Sequence, residues 1–292
     1  MPESPKPVSF VEVERKFVPT TYLKARLNGT ARAFESSGPS DCSTPAGSHA
    51  TSQLSFFRLP DKRIRDTYYD SRDRLSSKGI WVRQRTSQVG GSQDFPLVST
   101  GPPSTKWEAK VRLAGDYADS QFLELQGEAE IRSLQQQHLP EVQLERLQIL
   151  ADLETHRKTW VVHEPSGWSF TSRAVRRITK TELRIDLDEV TTPGDASGEG
   201  RGFQHQIGEV EVTAEVAGAA IKHEDDVERS RVAKSMHGII DEFFKQHSSL
   251  FVSTTKPKGK LEAFFDWKRD APRVGNQEEA GRVHDAIPDT RN

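Results

Sequence analysis

One pattern constrains this chain more than any other: charged and apolar side chains alternate with period two, segment after segment. In VSFVEVERKF, residues 8–17, a strand would place Glu12, Glu14 and Lys16 on one face and Val11, Val13 and Phe17 on the other. Trp81, Arg83 and Arg85 likewise oppose Ile80 and Val82, and Glu108, Lys110 and Arg112 oppose Trp107, Ala109, Val111 and Leu113. Arg184, Asp186 and Asp188 oppose Leu183, Ile185 and Leu187, while Glu209 and Glu211 oppose Gly208, Val210 and Val212. A single strand of this kind is ordinary, because half-buried antiparallel strands often turn charges to solvent. Here, however, neighbouring charges share a sign: Arg83 with Arg85, Asp186 with Asp188, Glu209 with Glu211. A surface shaped only for solubility mixes its signs.

A barrel with its charged faces turned inward accounts for this grouping; a sandwich with solvated outer charges is the alternative. In the barrel, Glu12, Glu14, Asp186, Glu209 and Glu211 would form an acidic sector, and Lys16, Arg83, Arg85 and Lys110 a basic one. Buried charges are costly unless paired or neutralised by ligand. A polyphosphate bridged by Mg²⁺ or Mn²⁺ would neutralise both sectors, since Arg forks clamp phosphate oxygens and carboxylates hold hard cations. Lys16 has a second reading, as a structural partner of Glu12 or Glu14 on its own strand face.

Strand-like runs are expected at 8–17, 64–70, 79–86, 105–114, 120–125, 156–164, 168–172, 181–190 and 205–214. Helical spacing is expected at 20–28, 126–138, 141–152, 224–247 and 260–268. Across 224–247 it places Val227, Val232, Met236, Ile239, Ile240 and Phe243 on one face. Many strands with few helices predict an α+β fold, a closed or strongly curled antiparallel sheet flanked by helices. Residues 36–53, 87–104 and 191–203 are rich in Ser, Gly, Pro and Thr and read as loop insertions. Residues 1–7 are expected to be flexible and the polar tail 266–292 disordered, leaving 8–265 as one domain.

Charge is balanced, 41 basic against 43 acidic residues, so nothing marks the whole chain as a nucleic-acid binder. No apolar run approaches the roughly 20 residues of a membrane span. MPESPKPVSF lacks the apolar core of a secretion signal, and the single Cys42 cannot form an internal disulfide. A cytoplasmic monomer acting on a small molecule is the expectation.

The blocks VEVERKF, RDTYYD (65–70), Leu75, WVRQR (81–85), WEAK (107–110), HRKTW (156–160), RIDLDEV (184–190) and IGEVEV (207–212) occur in one order. They are followed by Lys260 in KGKLEAFF. In these blocks the chain resembles the CYTH superfamily of triphosphate tunnel metalloenzymes, and within it the thiamine triphosphatases. The resemblance covers about residues 8–265 and implies an eight-stranded antiparallel tunnel flanked by helices. It implies Mg²⁺-dependent hydrolysis of thiamine triphosphate, with inorganic tripolyphosphatase and a non-catalytic polyphosphate-binding module as alternatives. By motif, the metal ligands would be Glu12, Glu14, Asp186, Glu209 and Glu211. Lys16, Arg83, Arg85, Lys110, Arg157 and Lys260 would contact the triphosphate, with Glu124 orienting the basic groups and Asp186 beside the substrate. Asp188 is left between ligand and supporting residue. Trp81 shares the Arg83 face, where its indole would meet the thiazolium ring by cation–π contact or simply plug a tunnel mouth.

Overall fold

Pairing the alternating segments with one another brings Glu12, Glu14, Lys16, Arg83, Arg85, Lys110, Glu209 and Glu211 onto the wall of one cavity. The computed structural model describes residues 9–29, 54–90, 103–163, 181–194, 202–216, 223–252 and 255–270. In chain order these form β1 (Ser9–Phe17), α1 (Thr21–Leu27), β2 (Ser55–Arg58), β3 (Lys62–Asp70), β4 (Ile80–Val89), β5 (Ser104–Gly115) and β6 (Asp119–Gln126). There follow α2 (Glu128–His138), β7 (Gln148–His163), β8 (Thr181–Thr191), β9 (Gln204–Val216), α3 (His223–Gln246) and α4 (Lys260–Asp270).

All pairings are antiparallel, in the order β7-β3-β4-β5-β6-β1-β9-β8, and β8 pairs back onto β7. Eight strands therefore close into a barrel, with β2 added against Trp160–His163 of β7. Directly opposed residues in a ladder share a face. The register thus carries one charged face around the ring: Arg83 opposite Glu108, Lys110 opposite Glu124, Glu14 opposite Glu211, Glu209 opposite Asp186, Asp188 opposite Arg157.

The apolar faces point outward and the helices cover them. Val11, Val13, Ile185, Val210 and Val212 pack with Leu23 of α1 and Met236, Ile240 and Phe243 of α3. Ile80, Val82, Leu123 and Leu125 meet Ile131 and Leu134 of α2. Each such aliphatic or aromatic side chain contributes roughly 1.5–3 kcal/mol when fully buried. Gly208 lets β9 approach β1 closely, since a Cβ there would stand 2.2 Å from the Phe17 ring. Strand direction places the ends of β3, β5, β1 and β8 at one mouth of the barrel. There α4 sits, its Phe264 clustered with Tyr68, Leu153, Val190 and Phe203.

The structure departs from the sequence reading in several places. The helix expected at 141–152 is a 3₁₀ turn, Leu144–Arg146, followed by the start of β7 at Gln148. Its apolar spacing suits a helix, but Gln148–Arg157 pair with β3 and the ladder overrides local preference. Val227 stands 61% exposed rather than on the buried α3 stripe. β4 and β5 run to Val89 and from Ser104, into the expected 87–104 insertion, and α4 continues to Asp270, into the expected tail. Thr191 likewise belongs to β8. The 1–7 segment, the 36–53 insertion, the strand expected at 168–172, and residues 91–102, 195–201 and 271–292 lie outside the described residues. Among the described residues, no helix is long and apolar enough to cross a membrane.

Candidate active site

The inward faces enclose a cavity of 470 Å³, the size of a small-molecule site. On the wall made by β3, β4 and β5, basic and acidic groups are matched. Arg85 donates from Nε and Nη2 to the two oxygens of Asp66, at 2.7 and 2.8 Å. Arg83 donates from Nε and Nη2 to Glu108, at 3.0 and 2.8 Å, and lies 3.8 Å from Asp66. Burial raises the Asp66 carboxyl, but Arg83 and Arg85 outweigh it and hold the group well below the usual carboxylate range. The same balance, with Arg83 as the leading counter-charge, lowers Glu108.

The wall made by β1, β8 and β9 is crowded with carboxylates. Lys110 reaches across from β5 to Glu12 at 2.6 Å and Glu14 at 3.1 Å, with Glu124 at 3.6 Å. Lys16 contacts Glu14 and lies 3.8 Å from Glu209. Arg157 bridges Asp186 at 2.6 Å, Asp188 at 2.7 Å and Glu209 at 3.4 Å. Lys260 enters from α4 to contact Asp188, and Thr159 donates to Asp186 at 2.6 Å. Glu211 makes no ion pair among the described residues. Its carboxyl is pushed well above the ordinary value by burial, then by the charges of Glu12 and Asp186. Glu12 is raised by burial and by Glu124, and Asp186 by burial and by Asp188 despite Arg157.

Every candidate residue read from the sequence therefore faces the lumen or a group that lines it. The sectors are not segregated as expected: Lys16 and Lys110 lie among the carboxylates. Both readings of Lys16 meet in one place, because it pairs with Glu14 while lining the cavity. Arg157 faces inward, whereas Lys158 turns out to Glu189 at 3.5 Å. Trp81 lines the cavity and is half-buried. Asp188 is wholly paired, with Arg157 and Lys260. Among the described residues, no three Asp, Glu, His or Cys side chains converge into a ready-made ion cage.

Sequence reasoning missed Asp66, whose run RDTYYD alternates charge with polar and aromatic residues and so shows no two-faced contrast. The available signal was its spacing of two from Tyr68, which shares the lumenal face. Lys62 and Arg184, both lumenal, were also missed as site residues.

Fold and site together define a closed antiparallel barrel whose lumen is lined by cations and carboxylates. No family model and no curated protein matches the chain. Among solved structures it is similar to the PH1819 protein of Pyrococcus horikoshii OT3, at 13% identity over 87% of this chain and 98% of that one, TM-score 0.42. It is similar also to HpAC1 from Hippeastrum, described as having a dominant triphosphatase activity, at 12% identity over 90% and 95%, TM-score 0.36.

Proposed function

We propose that the chain is a CYTH-type, metal-dependent hydrolase that removes the terminal phosphate of a triphosphate held in the lumen, with thiamine triphosphate as its organic substrate. One observation carries this reading: six cations, from Lys16, Arg83, Arg85, Lys110, Arg157 and Lys260, converge on one enclosed cavity beside carboxylates whose charge is not fully compensated.

Each guanidinium has five donors. Asp66 takes two from Arg85 and fixes the fork before substrate arrives, while Nη1, 3.6 Å from Glu108 and beyond hydrogen-bond distance of it, is the donor offered to a phosphate oxygen. Such preorganised charge favours the transition state, in which negative charge spreads over the transferring phosphoryl oxygens. Water attacks the terminal phosphorus, the bond to the bridging oxygen breaks, and the diphosphate product carries that oxygen away. Mg²⁺, with Mn²⁺ as a substitute, fits the donor set, because Glu12, Asp186 and Glu211 are all-oxygen groups raised by burial and neighbouring carboxylates. Glu14 and Glu209 would complete the binding groups. Such an ion would supply Lewis-acid charge to the phosphate oxygens and would lower the pKa of water.

Inorganic tripolyphosphate is the second reading, favoured because the lumenal contacts described are to charge rather than to any organic group. The deciding assay measures phosphate release from thiamine triphosphate, tripolyphosphate and ATP, with Mg²⁺ and with EDTA. Metal-dependent release, fastest from thiamine triphosphate, is the expected result. Fastest release from tripolyphosphate moves that substrate to first place, and no release from any of them overturns the hydrolase.

A further inference from the structure

The lumenal cations differ in what they touch. The six named above each contact a carboxylate. Arg112, two residues beyond Lys110 on β5, does not. Among the described residues its guanidinium makes no ion pair, its Nε is buried without a hydrogen-bond partner, and its Cζ lies over the Tyr117 ring at 4.6 Å. Both side chains line the cavity. Among the described residues Lys62 makes no ion pair either, but it stands at the first residue of β3, which runs parallel to β5 two strands away, and so at the opposite mouth. Among the described residues the paired belt is thus flanked by one unpaired cation on each side.

Arg112 is a built position rather than a stray surface residue. Gly79, at φ +74°, clears the space beside it, for a Cβ there would come within 3.0 Å of the Arg112 Cβ. The Arg112 backbone N–H donates to the Gly79 carbonyl at 2.9 Å. Tyr117, in the turn between β5 and β6, holds the guanidinium by its ring face. Two residues along a strand place Arg112 about 7 Å beyond Lys110, toward the mouth where α4 sits.

We propose that Arg112, held by Tyr117, is a subsite for an anionic group lying beyond the three phosphates of the belt, so that the lumen prefers a linear tetraphosphate to tripolyphosphate. This rests on the triphosphate reading of the lumen. A buried guanidinium donor without an acceptor is unfavourable, and an arriving anion supplies the acceptor. The belt cations, by contrast, must share themselves between substrate and carboxylate. The same charge acts against a cationic ring at this mouth, setting Arg112 against Trp81 in the choice of organic group.

The test is calorimetric titration of the full chain in EDTA with tripolyphosphate and with linear tetraphosphate. Wild type should bind tetraphosphate about 10-fold more tightly, the worth of one charge-assisted hydrogen bond. Arg112→Gln should remove that advantage, and Arg112→Lys should return part of it. Equal wild-type affinities for the two ligands, or a preference that survives Arg112→Gln, would overturn the subsite and leave the triphosphate reading standing. Binding of neither ligand would overturn both. The wild-type comparison alone decides the first point, whether or not a variant folds.

Discussion

The two walls of the lumen are built on opposite electrostatic plans. On β3, β4 and β5, Arg83 and Arg85 are locked to Asp66 and Glu108, and both carboxylates are held below their ordinary range. On β1, β8 and β9, Glu12, Asp186 and Glu211 are raised, and Glu211 has no counter-ion of its own among the described residues. The matched wall is finished before any ligand arrives. The crowded wall holds repulsion that a cation would relieve. Preorganisation and stored repulsion therefore sit face to face, and substitutions on the two sides should behave differently.

The sharpest break between the walls comes from Glu211→Gln. Removing this carboxylate should lower metal-dependent phosphate release by about two orders of magnitude or more. It should nevertheless raise the melting temperature in EDTA, because a neutral amide escapes the cost of burying a charge and the repulsion from Glu12 and Asp186. The sign follows from linkage: a carboxyl raised in the folded state contributes stability below its unfolded value of about 4.3, lost as pH climbs through the folded value. Wild-type melting temperature should carry that decline in EDTA and the Gln variant should lack it. A Gln variant that melts lower than wild type would show the crowded wall to be matched after all.

Asp66→Asn tests the other plan, and its main effect is on stability. Leaving two buried guanidinium groups without the carboxylate that anchors them should cost about 3–5 kcal/mol in denaturant unfolding.

 What Asp66→Asn removes is the one carboxylate charge that Arg85 holds at 2.7 and 2.8 Å and Arg83 approaches at 3.8 Å. Asp66 is depressed in the folded state, so its contribution is present above the unfolded value of about 3.9 and is lost only as pH falls toward the folded one. Wild type and variant should therefore differ at pH 7 and converge in strong acid. A constant difference at all pH values would mean that packing, not charge, anchors the Arg pair.

Arg83→Ala and Arg85→Ala should each slow hydrolysis about 10- to 150-fold, the loss of one charge-assisted phosphate contact. The loss should be the same for thiamine triphosphate and tripolyphosphate, measured as kcat/KM. A loss confined to one substrate would place the fork on the organic group instead. The smallest effect belongs to Trp81→Ala, which should lower kcat/KM for thiamine triphosphate about 3- to 30-fold and spare tripolyphosphate. Equal losses on both would assign Trp81 to structure.

How much of this was legible in the sequence follows from what a strand can and cannot reveal. Which residues share a face is fixed by a period of two, so the lumenal set Glu12, Glu14, Lys16, Arg83, Arg85 and Lys110 could be read directly. Which residue stands opposite which depends on register, and register is set by pairing between distant strands. The interleaving of Lys110 with Glu12 and Glu14, 98 and 96 residues apart, was therefore hidden. Asp66 escaped because Arg65 and Thr67 beside it are polar too, which erases the contrast between faces. β2 escaped because SFFR is four residues long and has no alternation to show.

Closure of the ring by the β7–β8 pairing governs how the molecule can open. Each of the eight barrel strands has a hydrogen-bonded neighbour on both edges, whereas β2 is paired on one edge only among the described residues. No barrel strand can peel away without breaking two ladders, so amide hydrogens of β1, β6 and β9 should exchange with solvent only through global unfolding, and those of β2 much earlier. A wall that cannot part admits its guest only through its mouths, by threading.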